Sequence, residues 1–212
     1  MSTDEIKEAG RFFVLSAPSG SGKSTLKDRV LKLLPDLVYS VSYTTRPPRP
    51  GEVDGRDYNF VSLEKFQAMI EAGEFLEWAE VFGRHYGTGR AWVTDRLAAG
   101  LDVLADLDVA GAASVRKLMP GAVLIFMTPP TAEELRRRLR TRSTESSEEA
   151  RRRLDRARAE IGRRHIYDFL LINDDLEGAT RELVEIIKTG RGRTMSDMEA
   201  FWPDFFGPEA EG

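Results

Sequence analysis

The chain has 212 residues, 41% of them hydrophobic, a formal net charge of −4, two histidines and no cysteine. That supplies one substantial core and a small inserted lobe, and it excludes disulfides, thiolate metal ligands and a cysteine nucleophile. The acidic balance argues against a general nucleic-acid binder, no apolar run approaches the roughly 20 residues of a membrane span, and Met1 to Gly10 lacks the apolar centre of a signal peptide, so the expected location is cytoplasmic.

The first element is a short apolar strand, Phe12 to Leu15, which runs into Ser16-Ala17-Pro18-Ser19-Gly20-Ser21-Gly22-Lys23-Ser24-Thr25. Strand, glycine-rich turn and helix in this order are the context of a phosphate-binding loop. Backbone N–H groups cradle phosphate oxygens, a lysine adds charge, and the following hydroxyl ligates Mg²⁺. The strict spacing puts glycine where Ala17 stands, whereas Gly20 and Gly22 remain for the close approach. The competing reading is a plain Gly/Ser turn.

Leu26, Val30, Leu31, Leu33 and Leu34 give a helical face that Pro35 ends. Val38 to Tyr43 alternates as one strand and leads into a Pro/Gly-rich stretch, Thr44 to Tyr58, too irregular for regular structure. Tyr58 to Val61 pairs as a short strand, and Ser62 caps a helix that Gly73 stops. Phe75 to Phe82 reads as a strand, Gly83 to Gly89 as a loop, and Ala91 to Ala99 as a helix. Asp102 to Asp108 is a strand with acidic residues at its carboxyl end, followed by a helix over Ala112 to Met119. Ala122 to Met127 is continuously apolar, as a parallel strand covered on both faces should be. Thr131 and Glu134 form a capping box, a second helix restarts near Ser147, and Phe169 to Ile172 is the last core strand before a final amphipathic helix.

This alternation predicts an α/β fold: a parallel sheet with helices on both faces, ligands beyond the carboxyl ends of its strands, and an inserted mixed lobe. The expected boundaries are a core over 11–37 and 97–189, a lobe over 38–96 and a tail over 190–212.

Several constellations carry chemistry. Arg46 and Arg49 lie on a proline-stiffened loop suited to bidentate capture of an oxyanion, with Glu52 and Tyr58 close behind and Tyr86 further on; salt-bridged surface arginines are the bland alternative. Glu77 lies in a strand of large apolar residues, so its carboxylate must be paired or must await a ligand that donates to it, as a guanine edge would. Asp106 and Asp108, two apart, are expected on one side of a strand end, as a metal or substrate contact or as turn formers. Between Arg136 and Arg158 arginines are dense. Such a run is ordinarily a solvated helical face, but two helices bracketing the polar stretch Thr141 to Glu149 also describe a lid that delivers cations to a transferring phosphoryl group.

Taken together these motifs resemble guanylate kinase. The resemblance covers about residues 11 to 189 and rests on SAPSGSGKSTL, SVSYTTRPPRPGEVDGRDYNFVS, GEFLEWAEVFGRHYGT, DVLADLDVAG, RLRTRSTESSEEARRRL and LINDD in that order. It implies a P-loop sheet with a GMP-binding lobe and a helical lid at approximately 138–153, transferring the γ-phosphoryl of ATP to GMP with Mg²⁺. Ala17, Pro18, Ser19, Gly20, Ser21, Gly22, Lys23, Ser24 and Thr25 would hold ATP, with Ser24 on the magnesium and Asn173 near the adenine. Ser42 and Glu77 would read the guanine base, and Arg46, Arg49, Tyr58 and Tyr86 would hold the GMP phosphate; Glu52 and Thr88 join the GMP-binding set, Thr88 where the family often has serine, and Asp106 and Asp108 would border the GMP and magnesium site. Lys23, Arg46, Arg138, Arg142 and Arg153 would be the catalytic cations.

Ala110 stands where the family commonly has glutamine, and Ser143 where it often has glycine. Two rivals remain: a related kinase acting on a ribose bisphosphate, and a non-catalytic guanylate-kinase-like module that binds phosphopeptides. The tail has no counterpart in the resemblance. Its Phe201, Trp202, Phe205 and Phe206 call for docking on the core or on a second subunit, as in a homo-oligomer, unless the end is disordered.

Overall fold

A computed structural model describes residues 9–81, 83–141, 155, 157–197, 199 and 201–206. The strands are β1 (Phe12–Ser16), β2 (Leu37–Tyr39), β3 (Tyr43–Thr44), β4 (Asn59–Phe60), β5 (Phe75–Val81), β6 (Arg84–Gly89), β7 (Asp102–Asp106), β8 (Val123–Thr128) and β9 (Phe169–Ile172). The helices are α1 (Lys23–Leu33), α2 (Leu63–Glu71), α3 (Arg90–Ala98), α4 (Val109–Leu118), α5 (Ala132–Thr141), α6 (Leu176–Thr189) and α7 (Phe201–Phe206), with helical residues also at 157–162.

One sheet has the order β2-β7-β1-β8-β9, with β2 parallel to β7 and β8 parallel to β9. Every residue of β1 and five of the six in β8 are buried, which explains why these strands read as continuous apolar runs rather than alternating ones. The second sheet has the order β4-β3-β6-β5 and is mixed: β3 runs parallel to β4 and antiparallel to β6.

By contact the described residues divide into two compact units, Met1–Val14 with Asp36–Ala122 and Leu15–Pro35 with Val123–Gly212. In the first, Phe66, Met69 and Phe75 form a small core of stacked rings beneath the second sheet. In the second, α1 buries Leu26 and Val30 and packs on α6, which buries Ala179, Leu183, Ile186 and Ile187.

Four sequence expectations change. Val38 to Tyr43 is not one strand: β2 and β3 belong to different sheets, because the backbone of Ser40 still bonds Leu104 whereas the Ser42 carbonyl already accepts from Asn59. The expected loop 83–89 is strand β6, paired with β5 from Val81↔Arg84 to Phe75↔Gly89. Its Gly87 is a packing glycine: a Cβ there would lie 2.7 Å from the Phe75 ring. The strand beginning at Asp102 stops at Asp106, and Asp108 is instead the N-cap of α4, its carboxylate accepting from the Gly111 amide at 2.8 Å. The capping box is half made. Thr131 accepts from the Glu134 amide at 3.1 Å, but the Glu134 carboxylate turns forward to Arg137 and Arg138, whose guanidinium groups hold its pKa down at about 2.

The tail docks on its own chain. Leu170 donates to the Arg193 carbonyl, Phe169 bridges Thr194, Arg193 pairs with Glu182, and Trp202 and Phe205 are buried, with the Arg164 guanidinium 5.0 Å from the Trp202 ring centre. Two of the four aromatic rings are thus spent within the chain rather than on a surface patch. Truncation after Thr189 should remove on the order of 2–3 kcal/mol net and lower Tm by roughly 5–10 °C. An unchanged melting curve would show that this docking contributes nothing.

Candidate active site

Two groups of candidate residues assemble, one in each unit. In the first unit the loop after β3 carries the arginines. The Arg46 amide donates to the buried Thr44 hydroxyl at 3.1 Å, and that hydroxyl donates to the His85 carbonyl of β6 at 3.0 Å. The Arg46 guanidinium donates to Glu52 at 2.8 Å and lies over the Tyr58 ring, 5.4 Å from its centre. Glu52 also accepts from the Arg49 amide at 2.7 Å, while Arg49 takes the Glu52 amide on its own carbonyl. Glu52 therefore clamps both arginine positions, and it leaves the Arg49 side chain exposed. The bond from Arg46 holds Glu52 below the ordinary carboxylate range, and the same bond raises Arg46.

Tyr58 and Tyr86 meet edge to face with centres 5.9 Å apart. Burial, with the Asp106 charge second, pushes the Tyr58 hydroxyl up to about 12, so it remains a proton donor at neutral pH. The Arg46 cation, held in place by the Glu52 clamp, and the neighbouring Tyr58 phenol are the donors that capture of a phosphate requires.

Glu77 faces Thr88 across the β5–β6 pair and is only 6% exposed. Its Oε1 accepts from the Thr88 hydroxyl at 2.6 Å, and its Oε2 lies against Gly111, where an added Cβ would be 2.8 Å away. Among the described residues no cation pairs with it. Burial, reinforced by the Asp108 charge and opposed by Thr88, pushes its pKa up to about 7. Ser42 is buried at the break between the two sheets. Asp106 ends β7 and Asp108 caps α4, so they do not alternate along one strand face as the spacing suggested; the chain has already turned into the helix.

In the second unit the glycine-rich loop leads from the end of β1 into α1. Gly20 and Gly22 have φ of +87° and +89°, values that only glycine adopts cheaply, so these two positions are fixed by backbone geometry. Gly22 is the N-cap of α1, with no side-chain cap and no acidic residue in the first turn. No acidic side chain of its own first turn competes for the first amides of α1, and the half-buried Lys23 and exposed Ser24 stand at their head. Asn173, at the end of β9, donates its side-chain amide to the Ser21 carbonyl at 2.7 Å. Arg138, on α5, reaches Glu134 at 2.6 Å and the Asn173 carbonyl at 3.0 Å. Arg142 and Arg153, with most of the expected lid, lie outside the described residues.

Three contacts are legible only in space, two of them made by residues with no role assigned from sequence, Thr44 and Gly111. Thr44 orients Arg46, Gly111 makes room for Glu77, and the Ser21 carbonyl is the partner of Asn173. For Gly111 the available signal was the helix start after Asp108, where a small residue three positions on is ordinary; for Thr44 there was none.

Comparison with known proteins agrees on one family. The guanylate kinase family model matches residues 9–190. The chain is 45% identical over 195 residues to the guanylate kinase of Geobacter sulfurreducens, covering 92% of this chain and 96% of that protein. It is 50% identical over 191 residues to that of Nocardia farcinica, covering 89% and 99%. The crystal structure of guanylate kinase from Anaplasma phagocytophilum superposes with a TM-score of 0.73 at 36% identity, covering 87% of each chain.

Proposed function

The chain belongs to the guanylate kinase family, and on that premise we propose that it transfers the γ-phosphoryl of ATP to GMP, giving ADP and GDP in purine nucleotide metabolism. The observation that carries the acceptor assignment is Glu77. It is a buried carboxylate with one hydroxyl partner and no cation among the described residues, in the same unit as the Arg46–Glu52–Tyr58 cluster. Such a carboxylate is costly unless a ligand completes it. Guanine does so with its N1–H and exocyclic amine. A sugar phosphate has no such edge.

Arg46, Arg49, Tyr58 and Tyr86 take the GMP phosphate, Ser42 and Thr88 complete the base pocket with Glu77, and Asp106 and Asp108 border it. The donor is held by Ala17 to Thr25: loop amides bind the phosphate oxygens and Lys23 neutralises them. Arg138, Arg142 and Arg153 supply the lid charge. Arg138 already stands at the loop's end of β9, bonded to the Asn173 carbonyl.

Mg²⁺ takes substrate phosphates, several waters and one or two protein oxygens rather than an all-protein cage. Ser24, exposed in the first turn of α1, is the residue that would hold it. When bound, Mg²⁺ neutralises charge on the β- and γ-phosphates. The chain's own part is to align two anions and exclude water, with no covalent intermediate.

The lobe over 38–96 serves the acceptor and the core the donor. The reading carries a cytoplasmic location and no nucleic-acid or membrane partner; no described helix is long and apolar enough to cross a membrane. The test is acceptor-dependent ADP formation from Mg·ATP with GMP, ribose 1,5-bisphosphate or no acceptor. Label from the γ-phosphate should appear in GDP. Transfer to the sugar phosphate without transfer to GMP would replace this reading by the first rival, and tight phosphopeptide binding without turnover by the second.

A further inference from the structure

We propose that Asn173 is a positioning residue that sets the orientation of the Ser21–Gly22 peptide in the phosphate loop, and so aims the Gly22 amide at the donor's phosphates. The proposal rests on the functional reading above only for the identity of the donor. Its physical basis lies in the second unit alone.

A phosphate cradle works when its amides point inward and its carbonyls outward. Glycines make this arrangement accessible but do not enforce it. Gly20 and Gly22 both have positive φ and leave the intervening peptides free to flip, at an entropic cost to any one arrangement. Within a planar trans peptide the carbonyl and the N–H point in opposite directions. Whatever fixes the Ser21 carbonyl therefore also fixes the Gly22 N–H, facing the other way.

The Asn173 side chain does the fixing. Its Nδ2 donates to the Ser21 carbonyl at 2.7 Å, and it stands so close behind Gly22 that a Cβ on that residue would be 2.7 Å from the same nitrogen. Asn173 is itself held firmly: it is 5% exposed, its backbone amide donates to the Thr128 carbonyl of β8 at 2.8 Å, and its carbonyl accepts from Arg138 at 3.0 Å. With both backbone groups engaged and the residue buried, the side chain starts from a fixed Cα and has little room to change rotamer. A flipped peptide would require the Asn173 amide to turn over as well, bringing Oδ1 to the Gly22 N–H, so the bond as it stands favours the cradle arrangement.

This places Asn173 behind the loop, acting through Ser21 and Gly22, rather than only beside the adenine. The two roles separate experimentally. Asn173→Asp is isosteric but replaces the donor by a carboxylate facing a carbonyl; Asn173→Ala removes the side chain while both backbone bonds remain. Calorimetric titration with inorganic tripolyphosphate, which carries no base, reads the loop directly.

Both variants should bind tripolyphosphate at least tenfold more weakly than the wild type. In turnover they should lose the same factor with ATP and with ITP, while the KM for GMP stays within twofold. Tm read alongside establishes that each variant is folded, and Asn173→Ala serves where Asn173→Asp does not fold. Unchanged tripolyphosphate affinity in a folded variant, or a loss with ATP that ITP does not share, would overturn the proposal in favour of a base contact. A wild type that bound tripolyphosphate yet failed to phosphorylate GMP would instead refute the acceptor assignment and leave this one standing.

Discussion

Replacing Glu77 with glutamine is expected to raise the KM for GMP roughly a hundredfold and, in the same protein, to raise its melting temperature. The first effect follows from the pairing. Guanine offers two N–H donors to two carboxylate oxygens, and a glutamine keeps one acceptor while setting an NH₂ against the other donor; a lost charged hydrogen bond plus a clash is worth about 3 kcal/mol. The KM for ATP should stay within twofold, since the contacts of the carboxylate, Thr88 and Gly111, lie outside the phosphate loop.

The second effect follows from the charge. Burial raises the Glu77 pKa from 4.5 to about 7. Below pH 4.5 the group is protonated in folded and unfolded chains alike, and the fold bears no penalty. As pH rises towards 7 the unfolded chain ionises first and stability falls. Above pH 7 the ligand-free fold carries the whole cost, on the order of 3 kcal/mol. Glutamine carries none of it, so the gain in Tm should be present at pH 8 and vanish near pH 4.

The same ionisation governs binding. The wild-type KM for GMP should rise as pH falls from 8 to 6, because guanine needs the carboxylate, and the rise should exceed that of Glu77→Gln. The GMP phosphate's own second ionisation, near pH 6, acts on both proteins equally. A variant with a KM within twofold of wild type, or one less stable at pH 8, would refute the assignment of Glu77 as the base reader.

Replacing Lys23 with alanine is expected to lower kcat about a hundred- to a thousandfold, the usual effect of removing one charge-stabilising donor from a transferring group. Stability should hold or rise slightly. Lys23 is the first residue of α1, where the helix dipole disfavours a cation. Alanine is the better helix former at that position. Near-normal turnover in the folded variant would remove Lys23 from the mechanism. Both substitutions share one signature, activity lost with stability kept or gained. It marks residues whose placement the fold tolerates rather than requires.

Much of this was legible in the chain. β1, β8 and β9 announce themselves as apolar runs because both faces are covered, and Ser62 caps α2 as a short polar residue does at a helix start. Gly20 and Gly22 stand out because backbone geometry restricts what can occupy those positions, and Lys23 because a cation directly after them completes the phosphate-loop pattern. What was not legible depends on partners distant in sequence. The alternation of Val38 to Tyr43 is the same whether the strand stays in one sheet or moves to another; only the bonds to Leu104 and Asn59 decide it. The glycines of 83–89 read as a loop because Gly is a turn former, whereas Gly87 is there to let the Phe75 and Phe66 rings approach. Asp108 looked like strand because period two continues through it, and its bond to the Gly111 amide ends that continuity. Asn173 belongs to the same class: its sequence position says strand end, and only the fold places it 2.7 Å from the Ser21 carbonyl.

The measurement that tests the account most directly is the initial rate of ADP formation with saturating Mg·ATP and, in turn, GMP, AMP, CMP and UMP, for the wild type and for Glu77→Gln. The account predicts that the wild type selects GMP by at least two orders of magnitude in kcat/KM and that most of this selectivity collapses in the variant. Equal use of AMP by the wild type, or undiminished selection of GMP without Glu77, would contradict it.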